Sequence, residues 1–300
     1  MRAARTHISV GSWGFILLMV IALPCFMTLP WSLGRYKGKV GDEVYQRLAP
    51  SWSEPLGTDS LGRSLMWRSL LGGAISLGIG ISAAAIAVTI GVTWGAAAAL
   101  AGGRTDALMM RIVDVLYGLP YILLVVLIDI GLGSLVRKTL GAMAADTAAG
   151  LADVLTLLVA IGGLSWLTMA RVIRGQVLSL KQRPFVEAAR ACGVGPMGIL
   201  WRHMLANLVG PIVVYATLTV PAAILAESTL SFLGIGVQAP LPSWGNLASE
   251  GLAELHAMVR RDTGAAWWLI VWPCVLLGLT LLALNFMGDA LRNKLDPQSR

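Results

Sequence analysis

An all-α protein embedded in a bilayer is the fold class this sequence predicts, and three observations carry it. Of 300 residues, 56% are hydrophobic and only 13% are charged. A soluble domain carries about 25% charged residues, so this chain has too little polar side chain to face water all round. The mean hydropathy is +0.74. The apolar residues gather in six runs, near 13–31, 73–101, 107–131, 151–175, 208–233 and 266–287. Each is long enough to cross a hydrocarbon core of about 30 Å. Each must be helical, because an open strand would leave its backbone groups unpaired in lipid.

The first run follows Arg2 and Arg5 in the manner of a signal peptide. No small-x-small cleavage site comes after it, so it is expected to remain as the first spanning helix. The second run is rich in small residues, including Gly91 and Gly95 four apart. That spacing lets two helix backbones approach closely, for general packing or as a dimer seam. Pro120, Pro211, Pro221 and Pro273 permit kinks in later runs. Arg111 and Asp114 stand three apart, so a local or inter-helix ion pair is expected. Trp267 and Trp268 read as interfacial anchors.

Six spans place both termini on one side. Basic residues such as Arg104, Arg171, Arg174, Lys181, Arg183, Arg190 and Arg202 then share that side, which weakly favours the cytoplasm. Aromatic-interleaved basic patches are absent, so the net charge of +7 does not indicate nucleic acid. Cys25, Cys192 and Cys274 are far apart and lack metal-ligand spacing, so free thiols and no metal site are expected. Neither H-E-x-x-H nor G-x-S-x-G occurs, so the chain offers no catalytic residues of those kinds.

The loop between runs four and five is the most informative stretch. Pro184 suits the first turn of a helix, where its missing N–H costs nothing, and Gly193 suits the left-handed position past a helix end. Between them lie the good helix formers Glu187, Ala188, Ala189, Arg190 and Ala191. Gly195-Pro196 then turns the chain, and Ile199 to Leu205 is expected to start a second short helix. Such an elbow is either a basic loop snorkelling at headgroups or a lever that takes a push from a soluble partner.

Glu187-Ala188-Ala189, with Gly193 four residues on, resembles the EAA loop of prokaryotic ABC importer permeases. Other stretches resemble the dipeptide, oligopeptide and nickel members of that family. They are Leu56-Gly-Thr-Asp-Ser-Leu-Gly-Arg63, Arg111-Ile-Val-Asp114, Ala226-Glu-Ser-Thr-Leu-Ser-Phe-Leu-Gly234-Ile-Gly236, Pro242-Ser-Trp-Gly-Asn246 and Asn285-Phe-Met-Gly-Asp-Ala-Leu-Arg292. Five such matches in register, over about residues 56 to 297, resemble the second permease of the pair. Ala206 departs from the family's proline and bears on the bend into the fifth span.

The resemblance implies a type I ABC importer transmembrane domain, with residues 1–55 as first helix and outer loop and 56–300 as permease core. The coupling loop would occupy about 181–207. It implies a channel subunit for ATP-driven import, most naturally of peptides, in the cell (inner) membrane with both termini cytoplasmic. The implied partners are a second homologous permease, two ATPase subunits and an extracytoplasmic substrate-binding protein. ATP and Mg would sit on the ATPases. This chain has no G-x-x-x-x-G-K-[S/T] to cradle phosphates and is expected to hold no cofactor. Glu187, Ala188, Ala189, Arg190 and Gly193 would contact the ATPase. Glu227, costly to ionise in lipid, is a candidate channel or gate residue, and Trp244 a candidate outer receptor contact. The alternative, an ion-gradient-driven secondary transporter, would call for intramembrane carboxylate relays or paired broken helices.

Overall fold

The computed structural model describes residues 2–38, 43–139, 145–261 and 266–295. Among these there is no sheet, only an isolated bridge between Thr58 and Ser64. The helices are α1 (Arg2–Met27), α2 (Leu29–Arg35), α3 (Leu65–Ala101), α4 (Gly103–Tyr117), α5 (Tyr121–Thr139) and α6 (Ala145–Leu180). They continue as α7 (Pro184–Ala191), α8 (Pro196–Ile199), α9 (Leu205–Phe232), α10 (Trp244–Arg261) and α11 (Trp268–Leu295). Four runs are long and apolar enough to cross a membrane: α3, α6 from Gly150 on, the continuous stretch Pro196–Phe232, and α11. Two bent pairs, α1 with α2 and α4 with α5, pass when each is taken as one, giving up to six spans. The all-helical, multi-pass expectation holds.

The third run departs from its expected form. Instead of one helix over 107–131, the chain ends α4 at Tyr117 and restarts as α5 at 93° to it. Pro120 has no N–H to continue the ladder and its ring disfavours helical backbone at Leu119. Pro211 and Pro221 lie inside an unbroken α9, and Pro273 inside α11, so proline alone does not break these helices. The segment expected as a separate helix after Ile199 is instead the foot of α9. α8 runs into a π turn over Leu200–Met204, where the Leu205 N–H reaches back to the Leu200 carbonyl, and the chain passes Ala206 without a break. α10 was legible only as a loop. Its polar and apolar residues alternate at helical spacing, and it lies along α9 and α11.

α3 is the central strut, packed most extensively on α6 and α9, while α1 lies along α11. The Gly91–Gly95 spacing is a seam within the chain. A Cβ on Gly91 would strike the Met169 side chain, and one on Gly95 would strike the backbone of Ala170 and Arg174. Small residues there draw α3 and α6 together. Gly95→Leu would force these backbones apart, and overpacking of this kind costs about 1–3 kcal/mol. A thermal-shift measurement on the detergent-solubilised protein should show a lowered melting midpoint; an unchanged midpoint would contradict this packing.

Candidate functional site

The elbow between α6 and α9 forms as its residues dictate. Pro184 opens α7 after Arg183 in extended backbone, and Gly193 closes it at φ +81°. The Gly193 N–H donates to the Arg190 carbonyl (2.9 Å) and the Val194 N–H to the Ala189 carbonyl (3.1 Å). Together these bonds make a Schellman ending, which only a left-handed residue at position 193 allows. The side chains then divide by face. Val186 and Ala189 are buried, against Ile199, Met204 and Leu208 of the α9 foot and Ala99, Ile173 and Val177 of α3 and α6. Glu187, Ala188, Arg190 and Gly193 are exposed. Of the two alanines expected to meet a partner, Ala188 faces outward and Ala189 faces the protein's own helices.

Three cationic side chains brace this end. Lys181 Nζ donates to the carbonyls of Ala99 and Leu100, satisfying acceptors that the last turn of α3 leaves open. Arg174 on α6 holds Asp106 at the start of α4 with two bonds, 2.6 and 2.7 Å. Arg171 bonds Asp114 (2.9 Å) and stacks its guanidinium on Tyr117, 4.0 Å from the ring centroid. The expected pair for Asp114 is therefore inter-helix, with Arg171 rather than Arg111. Gly102 (φ +63°) and Gly103 (φ +53°) turn the corner between α3 and α4. The sequence showed these cations only as basic residues sharing one side of the membrane, because the partner of each lies on another helix.

The opposite, cap end carries a second cluster. Asp59 accepts from the Leu61 and Arg63 N–H groups, from Arg63 Nε (2.6 Å) and from Arg68 Nη1 (2.8 Å). Glu250 on α10 takes two bonds from Arg68, at 2.6 and 2.9 Å, and Arg47 pairs with Glu254. The Arg68 side chain is 1% exposed. Trp268 donates to the Thr58 carbonyl (3.4 Å) and is buried, so it pins the loop before α3 rather than anchoring at an interface; Trp267 is half-exposed.

Glu227 and Trp244 sit in a buried knot beside this cap. Glu227 is fully buried and accepts from Ser231 (2.8 Å) and Ser228 (3.2 Å), with the Ser76 and Ser243 hydroxyls also facing it. Trp244, fully buried, donates to the Ser69 carbonyl (3.1 Å). Asn246 accepts from the Ser243 N–H and donates to the Val237 and Leu241 carbonyls. Neither Glu227 nor Trp244 reaches a surface of this subunit. Their short stretches fold into one polar core that joins α3, α9 and α10.

Residues 87–300 match the family described as binding-protein-dependent transport system inner membrane component. The chain belongs to that family. It is 42% identical over 244 residues to the oligopeptide transport system permease protein OppC of Haemophilus influenzae, covering 81% of this chain and 70% of the relative. Against the dipeptide transport system permease protein DppC of Bacillus subtilis, the identity is 42% over 255 residues, 85% of this chain and 72% of the relative. OppC of Escherichia coli is 40% identical over 287 residues, 95% and 86% of the two chains. As a member of this inner membrane permease family, the chain is a multi-pass membrane component of a transport system rather than an enzyme.

In this permease the braces on the elbow make a measurable prediction. Arg174→Met strands the buried Asp106 carboxylate, and hydrogen bonds to charged groups contribute about 1.5–3 kcal/mol. A lowered thermal midpoint is expected, with partial recovery in the doubly reversed Asp106→Arg, Arg174→Asp chain; no change in the single variant would contradict the brace. Arg68→Met at the cap should cost more, about 3–5 kcal/mol, because it removes the fully buried cation of the cluster and leaves Asp59 and Glu250 to share Arg63 alone. Loss of folded protein on size-exclusion chromatography, or a midpoint well below that of Arg174→Met, is the expected result, and equal midpoints would count against it.

Proposed function

We propose that this chain is the channel-forming subunit of an ATP-driven peptide importer, the second permease of its pair, and that α7 is where separate ATPase subunits grip it. The observation that carries this reading is the shape of α7. One face is sealed onto the ends of three long helices, while Glu187, Ala188, Arg190 and Gly193 stand free on the other. A force applied there is delivered directly to α3, α6 and α9. An ordinary headgroup-facing loop needs no such seat.

Peptide cargo is supported by the relatives, which are named for oligopeptide and dipeptide transport. On this reading the partners are a homologous permease, two ATPases that carry ATP and Mg, and an extracytoplasmic receptor that delivers the peptide. The ATPases work where ATP is, so α7 and both termini face the cytoplasm and the cap end faces outward. Glu227 serves the path by its burial between α9 and α3, and Trp244 by its bond to the Ser69 carbonyl of α3, so each acts on gate or receptor through packing.

Two measurements test this. In vesicles holding the assembled subunits, peptide uptake is expected to require ATP hydrolysis and to continue when ion gradients are collapsed. Uptake that persists without the ATPase subunits would reject the proposal. Separately, Glu187→Lys or Gly193→Val should leave the protein inserted but cut ATP-driven uptake about ten-fold or more, a loss of coupling rather than of binding. Full uptake in both variants would remove α7 from the mechanism.

A further inference from the structure

The break between α4 and α5 opens onto a cavity of about 610 Å³ that α6 and α9 complete. Tyr117, Tyr121, Tyr215, Ser165, Thr168 and Thr219 supply hydroxyls to a wall otherwise made of leucine and alanine, and no charged residue lines it. Ser165 and Thr168 stand about three to four turns before the end of α6, and Tyr215 and Thr219 about as far into α9. The cavity is therefore held at one depth, within helices that cross the membrane. Its volume lies within the range of about 300–1,000 Å³ usual for sites that hold small ligands.

The backbone at the break points to what fills it. Among the described residues, the carbonyls of Gly118 and Leu119 accept no hydrogen bond, and the N–H groups of Tyr121, Ile122 and Leu123 donate none across the break. Gly118, Leu119 and Pro120 are exposed. Irregular backbone at membrane depth is tolerated only against protein or a water-filled cavity, never against lipid. Ser165 and Thr219 donate to carbonyls of their own helices, Ile161 and Tyr215, which leaves their oxygens as acceptors. Phenols, aliphatic hydroxyls and open backbone groups make a wall that can exchange hydrogen bonds with amides. The absence of charge keeps any one side chain or terminus from being held.

We infer that this hydroxyl-lined cavity is the stretch of the transport path that the backbone of the passing peptide touches. The inference rests on the importer reading and adds where, and by what chemistry, the cargo meets this subunit.

The test uses the assembled transporter in vesicles, with Cys25, Cys192 and Cys274 replaced by alanine. Thr168→Cys and Thr219→Cys are each labelled with a thiol-reactive nitroxide. Leu282→Cys, exposed on α11, is the control. Accessibility to a water-soluble nickel chelate and to oxygen is read by electron paramagnetic resonance, and uptake of tetra-alanine is measured before and after labelling. Nitroxides at 168 and 219 are expected to be open to the chelate, and labelling there to lower ATP-driven uptake about ten-fold or more with ATP hydrolysis retained. Labelling at 282 is expected to change nothing. Oxygen-only access at 168 and 219 would mean lipid, access to neither reagent would mean cover by the second permease, and either would overturn the inference. So would undiminished uptake after labelling, or an equal loss at 282. If the unlabelled chain shows no ATP-dependent uptake at all, the importer reading falls first, which separates the two failures.

Discussion

Away from water an unpaired backbone amide is costly, and this constraint decides where the chain is allowed to stop being helical. At the elbow, the Schellman bonds of Gly193 and Val194 and the Lys181 ammonium take up carbonyls that α7 and α3 leave open. Past α9, the Ser231 hydroxyl accepts from the Val237 N–H, and Asn246 satisfies Val237, Leu241 and Ser243. Before α3, Asp59 collects two N–H groups of its own turn while Thr58 bonds Tyr45 and Leu48. The family-like stretches of the sequence are in large part these repairs. A glycine, serine, asparagine or aspartate stands wherever a turn must close without water.

The same constraint bears on the lever proposed for the elbow. A loop seated only by side-chain contacts would give way under load. Here Val186 and Ala189 are packed on the helix ends, the Schellman bonds close α7 on itself, and Lys181, just past α6, caps the end of α3. Farther along, the Gly95 contact with the Ala170 and Arg174 backbone couples α3 to α6 without intervening side chains to absorb a displacement. Protein interiors packed at crystal density transmit strain, so a push on α7 moves a body rather than a loop.

Much of this was legible in the chain itself. Composition and run length gave an all-helical membrane protein, and Pro184 with Gly193 bounded α7 to the residue. Local signals of that kind need no knowledge of partners. The α4–α5 break was missed because its apolar residues run on through Gly118 and Pro120, while Pro211, Pro221 and Pro273 are carried inside intact helices. Proline permits a break, and only packing decides whether one is made. α10 was missed because one face of it is polar, which reads as loop once a segment is too hydrophilic to span. Glu227 read as a channel or gate candidate because an acid is costly to ionise in an apolar run, and Trp244 as a receptor contact because it lies in what read as an outer loop. Ser228 and Ser231, which bond the acid, are its neighbours on α9, but Ser76 and the Ser69 carbonyl that receives the indole come from α3, distant in sequence. Arg68 and Glu250 are likewise separated by most of the chain, and no periodicity could have paired them.

The two ends of α3 are held in different ways. At the cap, Arg68 is buried between Asp59 and Glu250, an arrangement whose desolvation offsets much of its attraction. Its main effect is geometric, since a buried cation with two fixed acceptors admits one orientation of α3 against α10. At the elbow, Lys181 caps the Ala99 and Leu100 carbonyls, and Gly102 and Gly103 turn the corner into α4. α3 is thus held by a buried ion cluster at the cap, and by a lysine cap and a glycine corner at the elbow. On the proposed reading, work delivered through α7 passes along the packed elbow into α4, which Arg174 and Arg171 hold by Asp106 and Asp114, and reaches the helix break that borders the cavity.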